Sequence, residues 1–388
     1  MDLNRKQQMA IFLTVVLTVY ILTNLYLWFK GRRALSGAGI NTGWYNAIFI
    51  ALASAFVIGK FLENSFTSVF TDIVNVIGGF WMAFMLYGFL AWLAADILML
   101  LQKPFHLIPP DVIPKLRLWL FAGISSATIL LIIIGSVNAV SPVITRYTIE
   151  VSRKPDTLHE PMHIVAVSDI HLGSIIRKRS MRHLSEMITG EEPDLVLFLG
   201  DLLDGSIGPV LRGDLLSCLS IPAPRFGTYA ITGNHEYMSD LVKSVPYIES
   251  KGIRVLKDEI ISLENGVQII GRLDRTAMHS QGIGRKPLEQ LLAETDTTAP
   301  VILLDHQPYD LSALASTPVD MQLSGHTHNG QIWPLNLITD RMFELSHGYR
   351  VFGKAHVIVS SGFGIWGPRM RIGTRPEILS ITLTGKSE

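Results

Sequence analysis

Hydrophobic and polar positions divide the chain at about residue 140. Before that point apolar side chains form long, nearly unbroken runs, and after it short apolar runs alternate with polar segments and Gly/Pro turns. A helix needs about 20 mostly apolar residues to cross the hydrocarbon core of a bilayer. The first 140 residues therefore predict four transmembrane helices, at about 9–29, 44–62, 73–101 and 116–140.

The rest of the chain predicts an α/β domain at 161–385, joined to the helices by a proline-containing linker at 141–160. Strands that are apolar throughout and separated by helices are typical of buried sheets. The predicted strands are 162–168, 194–199, 228–232, 267–271, 300–304, 319–323, 356–361 and 377–383. The predicted helices are 177–190, 239–251 and 286–295.

Composition and charge limit the partners and the metal sites that the chain can have. The 388 residues are 48% hydrophobic, and 33 Lys/Arg balance 33 Asp/Glu, but residues 1–146 carry a net charge of +5 and the remainder −5. A mildly acidic second part without a basic stripe argues against nucleic acid as a partner. The single cysteine, Cys218, excludes an internal disulfide and a thiolate metal site, so any metal would be held by nitrogen and oxygen.

The positive charges also favour one orientation. Six Lys/Arg lie in the loops after the first and third spans, at positions 30, 32, 33, 103, 115 and 117, against four on the opposite side. Because cytoplasmic loops carry the excess of Lys/Arg, we expect an integral membrane protein with both termini, and the soluble domain, outside the cytoplasm. Asp96, near the end of the third span, is expected to be hydrated at the interface beside Lys103 and His106.

Metal-capable side chains follow five of the predicted strands. The exits carry Asp169 and His171, then Asp201, then Asn234 and His235, then His306, and finally His326 and His328. In α/β folds ligands bind at this edge of the sheet. Oxygen and imidazole ligands suit Mn, Fe or Zn, and so large a set suits two ions that share a bridging carboxylate. Asp201, at the end of the most apolar strand, is the candidate for that bridge.

The blocks Asp169-x-His171, Gly200-Asp201, Gly233-Asn234-His235-Glu236, His306 and Gly325-His326-x-His328 resemble the calcineurin-like metallophosphoesterase superfamily over about residues 160–385. The segments GHTHNGQ (325–331) and SGFGIWGPRMRIGTRPEI (361–378) are similar to its membrane-associated bacterial phosphodiesterases, although Asn329 stands where that subgroup usually has glycine. The resemblance implies a β-sandwich flanked by helices.

The resemblance also implies roles. It assigns one ion to Asp169, His171 and His328 and a second to Asn234, His306 and His326, with Asp201 bridging and manganese favoured. His235 would face the leaving group without binding metal. The implied catalytic set is His235, Asp201 and Asn234.

Substrate contacts are expected from Asn234 and His235 and, less firmly, from Arg371, for which a surface ion pair is an equal alternative. Other candidates are weaker. Asp204, Glu236 and Asp305 could orient ligand imidazoles, and Trp333 and Trp366 favour core packing over contact with an acyl chain or membrane.

These features predict a metal-dependent phosphohydrolase of the bacterial inner membrane. The resemblance implies a phosphodiesterase or pyrophosphatase, and the four spans suggest that its phosphorylated substrate is membrane-proximal or lipid-linked. The alternative is a non-catalytic membrane sensor or scaffold that binds a phosphorylated ligand. A transporter is disfavoured because the spans hold one marginal carboxylate and show no polar path.

Overall fold

The computed structural model describes residues 5–65, 68–151, 160–238 and 240–385. Its contacts divide the chain into two compact units, Met1–Ile134 and Gly135–Glu388. The predicted order, four long apolar helices followed by an α/β domain, is confirmed.

The first unit is built from long helices that are apolar on most of their surface: α1 Arg5–Gly37, α2 Gly43–Ser65, α3 Val69–Gln102 and α4 Ile113–Asn138, the last of which ends in the second unit. Each contains a stretch of mean hydropathy between 1.4 and 2.3 and is long enough to cross a membrane. Aromatic side chains pack between the helices, with the rings of Phe49 and Trp81 edge to face at 4.9 Å.

The second unit contains two six-stranded sheets. The first has the order β1-β12-β2-β3-β4-β5 and the second β10-β11-β9-β8-β7-β6. The strands are β1 Val143–Val151, β2 Met162–Val167, β3 Leu195–Phe198, β4 Thr228–Ile231, β5 Arg254–Leu256, β6 Glu259–Ser262, β7 Gln268–Gly271, β8 Val301–Leu304, β9 Met321–Ser324, β10 Gly348–Phe352, β11 Ala355–Val359 and β12 Glu377–Gly385. Both sheets are mixed, but β2, β3, β4 and β5 run parallel, as do β7, β8 and β9.

Apolar side chains from both sheets form one buried core, to which Leu197, Leu304, Leu323 and Ile358 contribute. The two sheets therefore pack face to face, as the expected sandwich requires. The remaining helices are α5 Lys178–Gly190, α6 Gly208–Gly213, α7 Asn234–Met238, α8 Leu241–Glu249, α9 Thr276–Gln281, α10 Leu288–Ala293 and α11 Asn336–Met342. Of these, α5 buries Met181, Leu184 and Ile188 against the outer face of the first sheet.

The first strand differs from the sequence-based expectation. Residues 143–151, placed in the linker, form β1, which pairs in parallel with β12 from Val143–Glu377 to Val151–Gly385. The segment VITRYTIEV alternates in its second half and buries Ile149 and Val151, so it fits the edge of the sheet. Residues 152–159 of the predicted linker, and position 239 at the start of a predicted helix, lie outside the described residues.

Candidate metal centre

The strand ends bring the predicted ligands together. Strands β2, β3 and β4 are neighbours in one sheet, and β8 and β9 are neighbours in the other. Because each group of neighbours is parallel, their carboxyl ends meet at one edge of the sandwich. Beyond that edge lie Asp169, His171, Asp201, Asn234, His235, His306, His326 and His328, all within one cleft or buried directly beneath it.

One group of donors consists of Asp169, His171 and His328, whose ligand atoms all lie within 4.8 Å of one another. Nε2 of His171 is 3.0 Å from Nε2 of His328, which in turn is 3.4 Å from Oδ1 of Asp169. The three side chains are at most 2% exposed. Such a buried set of one carboxylate and two imidazoles can hold one divalent cation.

A second group consists of Asp201, His306 and His326, again within 4.8 Å. Nε2 of His306 is 3.2 Å from Oδ2 of Asp201 and 3.3 Å from Oδ1 of Asn234. The same Oδ2 of Asp201 is 3.9 Å from Nε2 of His171, in the first group. Asp201 therefore lies between the two groups, where a bridging carboxylate is needed.

The hydrogen-bond partners of His306 indicate that its ring can bind a cation. Nδ1 of His306 is 2.7 Å from the carbonyl oxygen of Leu199 and must carry a proton, because a carbonyl only accepts. Nε2 of the same ring faces the oxygens of Asp201 and Asn234, so a second proton or a metal ion between them is favourable. Burial would lower the pKa of His306, but the negative charge of Asp201 raises it well above its usual range. Nδ1–H bonded to a carbonyl is the usual support of a metal-binding imidazole.

The pKa values of the site support the same conclusion. Burial, reinforced by the positive charge of His306, lowers the pKa of His326 to about 4. Burial and the neighbouring His171 and Arg371 hold the pKa of His328 well below its usual range. Both rings are therefore neutral at pH 7, which is the form that binds metal. Burial would raise the pKa of Asp201, but the imidazoles around it, His306 above all, have the larger effect and hold it well below its usual range.

The backbone at the ligands is strained. The φ angles are 54° at Asp169, 50° at His171, 52° at Asp201, 73° at His326 and 50° at His328. Non-glycine residues rarely adopt this left-handed region, which costs about 1–3 kcal/mol each and is concentrated at functional sites. Asn329 also has a positive φ of 49°, which explains why glycine and asparagine both suit that position. Gly325 cannot be replaced by another residue without a shift, because a Cβ at this position would overlap Oγ of Ser168.

Asp204 and Glu236 have different roles beside the ligands. Oδ1 of Asp204 lies 3.2 Å from Nδ1 of His235 and 3.7 Å from Nδ1 of His171, so Asp204 faces two imidazoles, as expected. Glu236 contacts the backbone. Its buried carboxylate accepts hydrogen bonds from the backbone N–H groups of Asp201, Leu203 and Gly233 at 3.0, 2.9 and 2.7 Å, and thereby joins the loops after β3 and β4.

Asp305 pairs with an arginine. It is 5% exposed, and Oδ2 accepts a hydrogen bond from Nη2 of Arg285 at 2.5 Å. The sequence placed it next to His306, but successive residues at the end of a strand point in opposite directions. This carboxylate therefore supports the arginine and not the imidazole.

The structure corrects the two expectations for Arg371. The side chain is 0% exposed, so it neither reaches a ligand in the cleft nor forms a surface ion pair. Its Nη2 donates to the carbonyl oxygens of Gly362 and Gly364, at 3.0 and 2.6 Å, and lies 3.3 Å from Nδ1 of His328. Arg371 thus packs behind a predicted metal ligand and fixes the loop after β11.

The cleft over the donors has an apolar wall that the sequence did not reveal. Its volume is about 380 Å³, and its lining includes, besides the donors, a set of largely apolar side chains that we call the apolar wall: Tyr309, Leu335, Ile338, Met342, Phe343 and Trp366. Helix α11 buries none of its residues. Trp366 and Trp333 are 48% and 51% exposed, so the core packing expected for them is not observed. The cleft is therefore lined both by the charged and polar donors and by apolar side chains.

Comparison with known proteins places this site in context. Residues 162–330 match the sequence profile of the calcineurin-like phosphoesterases. An uncharacterized metallophosphoesterase of Aquifex aeolicus is 32% identical over 246 residues, which are 63% of this chain and 92% of the relative. A metallophosphoesterase of Helicobacter pylori is 32% identical over 235 residues, 60% of this chain and 62% of the relative. The chain thus spans less than two thirds of that relative's length.

The name of one vertebrate relative refers both to a transmembrane protein and to a metallophosphoesterase domain. A "transmembrane protein with metallophosphoesterase domain" from Bos taurus is 34% identical over 272 residues, 66% of this chain and 60% of the relative.

Proposed function

We propose, given that the chain belongs to the calcineurin-like phosphoesterase family, that it hydrolyses a phosphodiester or pyrophosphate bond in a membrane-proximal or lipid-linked substrate. The observation that carries the proposal is the position of Asp201 between two groups of buried nitrogen and oxygen donors. Membership of the family agrees with the resemblance read from the sequence. The substrate and the roles of individual residues are our proposal.

In this proposal Asp169, His171 and His328 hold one divalent cation, Asn234, His306 and His326 hold another, and Asp201 contacts both. Manganese is the favoured metal, and oxygen and imidazole donors also suit iron and zinc. A pair of such ions supplies an activated water and neutralises charge at phosphorus. Asn234 lines the cleft as well, which supports the proposal that its amide orients a phosphate oxygen.

His235 is proposed as the proton donor to the leaving-group oxygen. Its backbone N–H donates to Oδ1 of Asp201 at 2.8 Å, and its ring lines the cleft. Burial would lower its pKa, but the hydrogen bond to Asp204 and the charge of Asp201 raise it to about 9. The imidazole is therefore protonated at pH 7, as a general acid must be before it donates.

The apolar wall supports an amphiphilic substrate. Ile338 and Met342 of α11, together with Trp366, present hydrocarbon surface within the same cavity as His235 and His326. Burying apolar surface is favourable by about 25 cal/mol per Å². A phosphoester with an acyl or prenyl chain would fill both parts of the cleft, whereas a small polar ester would leave the wall exposed to water.

The test is hydrolysis of bis(4-nitrophenyl) phosphate by the purified full chain with Mn²⁺. We expect turnover in the wild type and a loss of at least about 10³-fold in the double variant Asp201→Ala, His235→Ala. The matched control, Asp240→Ala with His163→Ala, changes an exposed residue of each type and should retain activity. Two bound metals per chain without hydrolysis of any phosphoester in a broad panel would contradict the proposal and support the sensor or scaffold alternative.

We further propose that the phosphoesterase domain lies outside the cytoplasm at a bacterial inner membrane, because the excess of Lys/Arg lies after the first and third spans. Reporter fusions at the carboxyl terminus test this orientation. A periplasmic alkaline phosphatase fusion should be active and a fluorescent protein fusion dark. The reverse pattern would place the domain in the cytoplasm.

A further inference from the structure

A cavity with basic side chains lies within the first unit, between α1, α3 and α4. Its volume is about 360 Å³, and its polar lining consists of Tyr26, Lys30, Arg33, Asp96 and Arg117, beside Trp92. These residues come from the last part of α1, the last part of α3 and the first part of α4. They are therefore at one end of the helices, on the side of the loops that carry the excess of Lys/Arg.

The single carboxylate in this cavity is already paired. Nζ of Lys30 forms an ion pair with Oδ1 of Asp96, and the hydroxyl of Tyr26 donates to Oδ2 of Asp96 at 2.6 Å. The ammonium of Lys30 also lies 5.3 Å from the ring centroid of Trp92, a favourable cation–π distance. Asp96 is thus held by Lys30 and Tyr26, and not by the Lys103 and His106 expected from the sequence.

Two cations remain after that pairing. Among the described residues, the guanidinium groups of Arg33 and Arg117 form no hydrogen bond or ion pair with a side chain or a carbonyl. Arg117 is repelled by the charge of Arg33 and attracted by the charge of Asp96, which Lys30 already pairs. Two like charges near a low-dielectric region are unfavourable without a counter-ion. Arginine forks match the oxygens of a phosphate group.

The rest of the cavity is hydrocarbon. Phe29, Leu116 and Leu120 line it, and the apolar side chains Leu98 and Leu101 of α3 nearby are 66% and 61% exposed. A ligand that satisfies the whole cavity needs an anionic head and an apolar tail. We propose that this cavity binds the headgroup phosphate of an anionic phospholipid between Arg33 and Arg117. The site is separate from the metal centre and does not depend on the proposed hydrolysis.

Native mass spectrometry of the full chain in detergent tests the site, with phosphatidylglycerol, phosphatidylcholine and inorganic phosphate as probes. We expect the wild type to retain phosphatidylglycerol in preference to phosphatidylcholine. In the double variant Arg33→Gln, Arg117→Gln the affinity for phosphatidylglycerol should fall about 30-fold, because each basic side chain near anionic lipid contributes about fivefold. The charge-preserving variant Arg33→Lys, Arg117→Lys should keep most of the preference.

The matched control is Arg32→Gln with Lys115→Gln, which removes the same charge from neighbouring positions outside the cavity; the guanidinium of Arg32 stacks on Trp28 instead. It should bind phosphatidylglycerol like the wild type. Equal weakening in this control, or equal retention of both lipids by the wild type, would overturn the site. Displacement of the lipid by millimolar inorganic phosphate would also overturn it, in favour of a site for the free anion. Thermal melting of each variant separates loss of binding from loss of folding.

Discussion

Nε2 of His171 lies 3.0 Å from Nε2 of His328, although the two residues are 157 positions apart in the chain. Both rings are buried, and both present the same ring nitrogen to one point beside Oδ1 of Asp169. Two bare lone pairs at this distance would repel each other, whereas a proton or a cation between the two nitrogens is attracted to both. The contact therefore defines where the first of the two proposed ions would be bound.

Replacing His328 with glutamine should remove that ion and leave the other. We expect the metal content of the purified chain to fall from about two ions to about one, and hydrolysis to fall by about 10³-fold, because the proposed reaction uses both ions. Elemental analysis by mass spectrometry measures the first effect. His163→Gln, on the exposed side of β2, is the control. An unchanged metal content in His328→Gln would exclude the assignment.

We expect Arg371 to stabilise the fold and not to bind the substrate. Replacing it with methionine keeps the apolar stem but leaves the carbonyl of Gly364 without a donor, at about 1–3 kcal/mol for a buried group. The carbonyl of Gly362 keeps the hydrogen bond from the backbone N–H of Glu377. We expect the thermal midpoint to fall by roughly 5 °C, with no change in KM for a soluble phosphodiester. Arg369→Met, at an exposed position of the same loop, is the control. A raised KM with an unchanged midpoint would restore the substrate-binding role.

The sequence predicts the arrangement of the ligands because β2, β3, β4, β8 and β9 are short, mainly apolar and followed within a few residues by metal-capable side chains. Parallel pairing then leaves one edge at which those residues can meet. The strand β1 was not predicted, because prolines flank it on both sides and its pairing partner, β12, lies more than 200 residues away.

The surroundings of the site could not be predicted from the sequence for another reason. A polar residue in a loop, such as Arg371, gives no sign that carbonyl groups will enclose it. An apolar residue in a loop, such as Ile338 or Trp366, gives no sign of whether it packs inside or lines a cleft. Those outcomes depend on how distant loops meet, and hydrophobic patterning reports only on each segment alone.

Asp204 should control the pH dependence of the reaction through His235. The hydrogen bond from His235 to Asp204 contributes to its raised pKa of about 9. A raised pKa means that the proton is held at neutral pH and lost as pH rises, so activity should decline on the alkaline side. In Asp204→Asn the pKa of His235 falls, and the alkaline limb of the kcat profile should move to lower pH.

The profile separates this role from a purely structural one. Asp240→Asn, an exposed carboxylate away from the cleft, should leave the alkaline limb in place. If Asp204→Asn lowers kcat by the same factor at every pH, then Asp204 acts on the position of His171 or His235 and not on the proton. Titration of the His235 ring by NMR in both proteins gives the direction of the shift independently of catalysis.

The apolar wall should make the enzyme sensitive to the length of an alkyl chain on its substrate. Each methylene buried against Ile338 and Met342 is worth about 0.8 kcal/mol, so kcat/KM for 4-nitrophenyl alkyl phosphates should rise about fourfold per methylene until the wall is filled. Ile338→Ser with Met342→Ser should flatten this dependence and leave the methyl ester unaffected. Leu337→Ser is the matched control, because Leu337 is 55% exposed on the same helix but does not line the cleft. Substrates must be kept below their micellar concentrations. If Leu337→Ser flattens the series as much as the double variant does, chain length acts through the detergent phase and not through this wall.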